Sequence, residues 1–405
     1  MPPLTRRTFA AAAAGAGLAR AESRSSTAEL LRAGLIGCGI RGSRAFLPAL
    51  ARMREPDNVA VTAVCDVFTK RAEEAASETG ARAYQDYRRL LEDREVDFVI
   101  IATPDHWHAR MTIDAARAGK HVYCEKPMTH TVEEAKEVVR TIQETGVKLQ
   151  VGVQGMSDDS YETAHRYVQQ GVLGKVVLAQ IDYSRNYRED FWLKPVDPDV
   201  RPGENLNWEL FLGPAPRRPW DPDRYFNWIR YWDYSGGVPA GLFVHRVTRI
   251  IRSLGLRFPQ YGSAHGGTFQ FTETRAEVPE TINIMLDYPG GPTVLLISSL
   301  ANDTPVPHLL RGHKATLEFT PEGFLIRPQK LYAGELGEIV HRKTGGEDTE
   351  LHLRNFFRAI RYNEPLKCDC WLGYYGVVAC QFGILSWRER KYMKWDAATE
   401  RIVPA

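Results

Sequence analysis

The sequence predicts an α/β protein in two parts: a doubly wound parallel sheet, then an α/β domain with an open, mainly antiparallel sheet. Three observations carry this. Short apolar runs alternate with helical periods from Leu31 to Val153. One of those runs, Asp97–Ala102, is apolar throughout after its first residue. Past Gly262, strand patterns follow one another with turns between them. Strand–helix alternation builds parallel sheets buried on both faces, whereas strands joined by turns build antiparallel ones.

The elements follow in order. Leu31–Ile36 reads as a strand and Ser43–Met53 as a helix; Val59–Cys65 is a strand and Thr69–Thr79 a helix closed by Gly80. After the strand at Asp97–Ala102, His106–Ala118 is a helix stopped by Gly119, and His121–Cys124 is the next strand. Thr131 and Glu134 form a capping box that opens a helix ending at Gly146, and Lys148–Val153 is a further strand. Asp158–Gly171 reads as helix and Lys175–Arg185 as a long strand. Residues 186–230 hold seven Pro and four Trp with little periodicity, a long structured loop. Val238–Leu254 returns to helix. Strands follow at Gly262–Thr272, Thr281–Tyr288, Thr293–Leu300, Ala315–Thr320 and Gly323–Arg327, with a turn at Gly290-Gly291. Glu350–Arg361 and Trp371–Arg388 are late helices. These elements divide the chain into a domain at 31–153 and a second at 154–395.

The first 21 residues read as an export signal. Thr5-Arg6-Arg7-Thr8-Phe9 is a twin-arginine pattern, Ala10–Ala19 is a mild apolar run, and Ala19-Arg20-Ala21 has the small-x-small form of a cleavage site. The run is too short to span a bilayer. The mature chain is therefore expected in the periplasm or outside the cell. Removing the segment leaves 49 basic and 50 acidic residues. That balance excludes a general nucleic-acid surface and a polybasic membrane face. Cys38, Cys65 and Cys124 stand at strand ends as small hydrophobes; Cys368 and Cys370 are too close in sequence for a relaxed bridge, and Cys380 is left open.

Gly37-Cys38-Gly39-Ile40-Arg41-Gly42 fits G-x-G-x-x-G between the first strand and the first helix, the setting of a Rossmann phosphate turn. Gly37 allows the tight turn, Gly39 a close backbone approach to pyrophosphate, and Gly42 close helix packing. Asp66 ends the second strand, where a carboxylate binds an adenosine ribose and repels a 2′-phosphate, so NAD is favoured over NADP. Lys70 and Arg71 follow it on a helix face taken as exposed. Thr103 and Pro104 end the next strand, and Asp105-His106-Trp107-His108 opens a helix. His106 and His108 form an H-x-H pair, but no third ligand stands near, so no metal is assigned. Glu125-Lys126-Pro127 ends a further strand, where a lysine can stabilise a developing alkoxide. His245 lies on an apolar helix beside Arg246 and Arg249. Trp192, Trp208, Trp220, Trp228 and Trp232 crowd one region with Tyr187, Tyr225, Tyr231 and Tyr234, a mixture of loop packing and sugar-facing rings.

In order and spacing, the glycine motif, Asp66, Ala102-Thr103-Pro104 and Glu125-Lys126-Pro127 resemble the Gfo/Idh/MocA oxidoreductases. Gly152-Val153-Gln154, Gly174-Lys175-Val176 and Tyr231–Gly237 continue the likeness. Asp105–His108 and Trp232–Gly237 are similar to an exported branch that includes NAD-dependent α-N-acetylgalactosaminidases. The resemblance implies a Rossmann domain, an open sheet that builds homo-oligomers, and a catalytic lysine at Lys126. Its sugar dehydrogenases carry Asp-x-x-x-His; His245 takes the His position, and Gly241 stands where the Asp is expected. Cofactor contacts are expected from Gly37, Gly39, Ile40, Arg41, Gly42, Asp66, Thr103, Pro104, His108, Glu125 and Gln154. Substrate contacts are expected from Tyr187, Trp232 and Asp233.

The implied function is an exported NAD-dependent oxidoreductase of a sugar or polyol hydroxyl. His245 would take the hydroxyl proton and Lys126 would stabilise the alkoxide. A periplasm offers no evident NAD pool, so the cofactor is expected to stay bound and to be regenerated in each turnover. Oxidising one sugar while reducing another satisfies this. So does a redox-neutral glycosidase that oxidises, eliminates, hydrates and reduces. A sugar-binding scaffold with structural NAD is the third reading.

Overall fold

The computed structural model describes residues 29–405, and the twin-arginine segment 1–21 lies outside the described residues. The first sheet has six parallel strands: β1 (Leu31–Ile36), β2 (Val59–Cys65), β3 (Arg82–Tyr84), β4 (Phe98–Ile101), β5 (His121–Glu125) and β6 (Leu149–Gly152). Their order is β3-β2-β1-β4-β5-β6. The helices between them are α1 (Leu47–Met53), α2 (Thr69–Thr79), α3 (Tyr87–Leu91), α4 (Asp105–Arg117) and α5 (Val132–Thr145). Order reverses between β1 and β4, the crevice where such sheets bind ligands. The unbroken apolar run of β4 has its reason here: Phe98 and Ile100 join one core, Val99 and Ile101 the other. The short edge strand β3 and the short helix α3 escaped the sequence reading, because neither shows more than one turn of pattern.

The chain then forms α6 (Ser160–Gln169), β7 (Val176–Asp182), α7 (Trp208–Leu212), α8 (Pro222–Phe226) and α9 (Val244–Leu254). Strands follow at β8 (Tyr261–Gly267), β9 (Thr281–Asp287), β10 (Thr293–Ser299), β11 (His308–Gly312), β12 (Ala315–Thr320), β13 (Gly323–Pro328) and β14 (Ile339–Arg342). The chain ends with α10 (Thr349–Tyr362), α11 (Cys370–Glu389), β15 (Met393–Asp396) and β16 (Arg401–Pro404). The second sheet has ten strands in the order β14-β13-β12-β11-β7-β10-β9-β8-β15-β16. It is antiparallel except where β10 runs parallel to β7. The predicted strand Gly262–Thr272 stops at Gly267, and the long strand from Lys175 stops at Asp182.

Two late helices tie the halves together. α10 returns to the first sheet: Phe356 and Phe357 pack on Phe98 with ring centroids 5.6 and 5.5 Å apart. α11 lies against α5, α9 and β8. All six cysteines are buried and free. No described helix is long and apolar enough to cross a membrane.

Candidate active site

The glycine turn follows β1 directly. Gly37 has φ +96°, and a Cβ there would sit 2.6 Å from the Ala102 carbonyl; one at Gly42 would collide with the carbonyl of Gly37. Both positions need glycine for close approach. A Cβ at Gly39 would meet only Arg71 Nη1, 3.7 Å away, so this backbone faces open space. That space is a cavity of about 690 Å³ lined by Gly37, Gly39, Ile40, Arg41, Asp66, Thr103 and Pro104. Gly42 lies behind it, on the packing side of the turn. The hydroxyl of Thr103 is sealed from solvent and has no hydrogen-bond partner. An open glycine backbone, an unsatisfied hydroxyl and an acid at the end of β2 fit a dinucleotide.

Asp66 does more than end a strand. Its Oδ2 accepts from the Cys38 N–H and its Oδ1 from the Phe68 N–H, both at 2.9 Å. Burial raises its pKa, against Arg71 and those two backbone donors. One carboxylate thus holds the glycine turn to β2 while lining the cavity. Arg71 is not on an exposed helix face: it lines the same cavity among the rings of Phe68, Tyr225 and Phe226 and donates to the Tyr225 hydroxyl at 3.2 Å.

The Pro-rich segment covers this cavity. Residues 194–199 line it together with Phe211, Tyr225, Phe226 and Trp228. Lys70 reaches Asp197 at 3.1 Å and Asp199 at 2.6 Å. The Thr69 N–H donates to Asn205 O at 2.8 Å, and the Asn207 N–H to Val67 O at 3.0 Å. The cofactor-side helix and the second domain are therefore laced together over the opening.

A second cavity of about 390 Å³ shares Arg41, Ala102, Thr103 and Trp228 with the first. Its walls carry Glu125, Lys126, Gln154 and His245. Glu125 Oε1 accepts from Arg41 Nε at 2.7 Å and from Gln154 Nε2 at 3.0 Å. Burial opposes ionisation of Glu125, but Arg41 and Lys126 outweigh it and lower its pKa. Lys126 Nζ donates to the Gly241 carbonyl at 3.0 Å. Gly241 lies in a π-helical turn, Pro239–Phe243, that widens into α9. Such turns free a carbonyl from the ladder and recur at functional sites. His245 is 8% exposed. Burial, then Lys126, Arg249, Arg246 and Arg41, push its pKa well below 6.5, so the imidazole is neutral at pH 7. A neutral histidine beside an ammonium can take a proton from a hydroxyl and hold the oxygen left behind.

Besides Gly42, four expected contacts lie elsewhere. His108 lines neither cavity. Its Nδ1 is 2.6 Å from Pro127 O and its Nε2 2.9 Å from Thr103 O, so it braces the ends of β4 and β5 from below. Burial opposes its protonation, but Cys124, Asp105 and Pro127 raise its pKa to about 10, and two carbonyl partners require two N–H donors. Trp232 donates to Glu277 O and packs at a tilt against Trp387, and Asp233 pairs with Arg218 and Arg224. Tyr187 is outside the wall and accepts from Arg185 at 3.4 Å; Arg185 is the residue that lines the cavity. The Tyr231–Gly237 segment acts through α4 instead. Ser235 Oγ donates to Asp105 Oδ2 at 2.9 Å, and the His106 N–H to Tyr234 O at 3.3 Å. His106 Nε2 lies 2.9 Å from Phe211 O, and burial lowers its pKa to about 3. Among the described residues no three His, Cys, Asp or Glu side chains are grouped to hold a metal.

The sequence reading missed Glu347, Arg185 and Thr349, which complete the second cavity. Glu347 stands in a polar loop with no local pattern, so nothing near it in the chain marks it.

Residues 31–153 match the NAD-binding Rossmann fold of the Gfo/Idh/MocA oxidoreductase family, and residues 159–255 match the family's C-terminal alpha/beta domain. A glycosyl hydrolase family 109 protein of Saccharopolyspora erythraea is 28% identical over 370 residues, covering 80% of this chain and 76% of that protein. An inositol 2-dehydrogenase of Salmonella typhimurium is 32% identical over 160 residues, 39% of this chain and 46% of that protein. The chain therefore spans under half of that relative. A levoglucosan dehydrogenase solved with NADH and levoglucosan has a TM-score of 0.69 at 19% identity, over 90% of this chain and 99% of the other. The WlbA dehydrogenase of Bordetella pertussis, solved with NADH and UDP-GlcNAcA, has a TM-score of 0.68 at 19% identity, over 91% and 99%. At such identities these likenesses show the fold.

Proposed function

Because the chain belongs to the Gfo/Idh/MocA oxidoreductase family and carries its NAD-binding domain, we propose that it transfers hydrogen to or from a CH–OH carbon of a sugar or polyol. The observation that carries this is the adjacency of two cavities: the one under the glycine turn shares Arg41, Ala102, Thr103 and Trp228 with the one walled by Lys126 and His245. NAD, when bound, supplies the two-electron acceptor and donor. The protein does the rest. His245 takes the hydroxyl proton, and Lys126 holds the oxygen as it becomes anionic. Arg41, tied to Glu125, lines both cavities and stands between the two ends of the site.

We further propose that the cofactor stays bound through turnover and that the chain is exported by the twin-arginine route. The lacing of Lys70 to Asp197 and Asp199 over the cavity supports retention. The Thr5–Phe9 pattern supports export. A homo-oligomer built on the open sheet is part of the same reading. One experiment tests its core: release and quantify cofactor from purified protein, then screen polyols and glycosides for turnover with no NAD added. Stoichiometric NAD with turnover is expected. Protein that neither holds nor binds NAD overturns the reading.

A second reading is a redox-neutral glycosidase. It is favoured by one observation: the glycosyl hydrolase family 109 match runs over 80% of this chain, and the inositol dehydrogenase match over 39%. Oxidation at one carbon acidifies the neighbouring C–H, the glycosidic group leaves, water adds, and the carbonyl is reduced again. Aglycone release with no net change in NAD distinguishes it from a dehydrogenase.

A further inference from the structure

We propose that Glu347 is the positioning residue for His245: its carboxylate holds the proton on Nδ1 and leaves Nε2 to face the substrate hydroxyl. The proposal rests on the reading of His245 as the acid/base.

The geometry points to it from three sides. First, His245 Nδ1 is sealed from solvent and makes no hydrogen bond, an uncommon state for a buried polar atom. Glu347 Oε1 lies 3.7 Å from it. Contacts between a base and its orienting group are often this loose without substrate and tighten when it binds. Secondly, the carboxylate is held. Its Oε2 accepts from Arg249 at 2.7 Å, and Arg249 stands one turn beyond His245 on the same helix, its guanidinium over the Tyr161 ring. The loop that carries Glu347 is anchored as well. Asp159 Oδ1 accepts from the Thr344 N–H at 2.8 Å and from the Gly345 N–H at 3.3 Å. A Cβ at Gly345 would stand 2.5 Å from the Ser157 carbonyl.

Thirdly, the charges around the ring call for an anion. Lys126 after β5, Arg41 on the glycine turn, and Arg246 and Arg249 on α9 all disfavour imidazolium, and the ring of Tyr183, just past β7, packs 6.1 Å away. Of the other carboxylates on the second cavity's wall, Glu125 is tied to Arg41, and Asp105 accepts from Ser235 Oγ. On the Nδ1 side the anion is Glu347. Gly241, on the turn before the helix, has no side chain to offer. When Nε2 takes the hydroxyl proton, the imidazolium then gains an ion pair to Glu347, and the oxygen left behind pairs with Lys126.

The test is Glu347→Gln, which keeps the side-chain shape and an oxygen for Arg249. We expect kcat to fall at least about 10-fold: losing the outer partner of a ligating histidine costs about 10- to 100-fold, and losing the carboxylate that orients a triad imidazole about 10⁴. KM and bound NAD should stay as in the wild type. The acidic limb of kcat/KM should move to lower pH, since imidazolium loses its counter-ion. In ¹⁵N NMR, His245 should change from one Nδ1–H tautomer to a mixture. Glu347→Asp should recover part of the rate. A Glu347→Gln enzyme with kcat within about twofold of wild type, or with an unchanged tautomer, overturns the proposal. So does a fall in Tm and NAD content with no change in tautomer, because that marks a purely structural ion pair. His245→Ala separates the two levels: full activity there sinks the acid/base reading itself, whereas an inactive His245→Ala beside an active Glu347→Gln sinks this proposal alone.

Discussion

The ammonium of Lys126 donates a 3.0 Å hydrogen bond to the backbone carbonyl of Gly241, on the turn that leads into the helix of His245. The two groups assigned to one proton and one alkoxide are thus linked through backbone, across the boundary between the domains. The lysine is held by a neutral acceptor, so its charge stays available to an oxyanion.

Lys126→Met should keep the fold and bound NAD, and lower turnover by about 10²–10³. His245→Ala should cost about 10²–10⁴. If both serve one step, the double variant loses much less than the product of the two factors. Wild-type kcat/KM in both single variants, on a confirmed substrate, would show that the chemistry lies elsewhere.

As the proposed base, His245 should set a pH dependence. Its pKa is pushed below 6.5, and the base is its neutral form, so kcat/KM should hold from pH 7 down past 6.5 and fall only at lower pH. Lys126→Met removes one of the cations that press on the ring. The acidic limb should then move to higher pH, and a profile that stays in place argues against the two groups sharing a site.

Asp66→Ala removes a carboxylate from the cavity and, with it, the acceptors of the Cys38 and Phe68 N–H groups. NAD affinity should fall about 10- to 100-fold, as expected for hydrogen bonds to a charged group. Discrimination against NADP should relax, since Arg71 remains to meet a 2′-phosphate. Titration with both nucleotides checks it; unchanged affinity for both rules out the assigned contact.

Lys70→Ala unlaces the segment over the cofactor cavity. NAD release, followed by stopped-flow fluorescence, should speed up by about fivefold, with a smaller difference at high salt because the pair is exposed. The reaction at His245 should be untouched in single turnover. Equal release rates would place the barrier to dissociation elsewhere.

Arg6→Lys with Arg7→Lys should leave the protein in the cytoplasm, because twin-arginine export reads that pair. Fractionation of cells expressing the two forms decides it. Equal periplasmic yield counts against export by this route.

The sequence by itself determined the first sheet and the cofactor side of the site. Its strands are local apolar runs, and in a parallel sheet every strand ends at the same edge, so Gly37, Asp66, Thr103 and Lys126 had to meet at the ends of β1, β2, β4 and β5. His245 was legible as a buried polar residue on an apolar helix. The tertiary structure decided what surrounds them. Tyr187, Trp232 and Asp233 were expected to touch substrate, yet Trp232 and Asp233 are taken up by Glu277, Trp387, Arg218 and Arg224, and Tyr187 accepts from Arg185 outside the cavity wall. His108 is buried between the Thr103 and Pro127 carbonyls and does not line the cleft as expected. Glu347 reaches His245 because α10 docks on the first sheet and Asp159 anchors the preceding loop. Periodicity reports which residues of one element share a face. It carries no information on which loop, far along the chain, that face will meet, and the cover over the cofactor and the partner of the base are both set by such meetings.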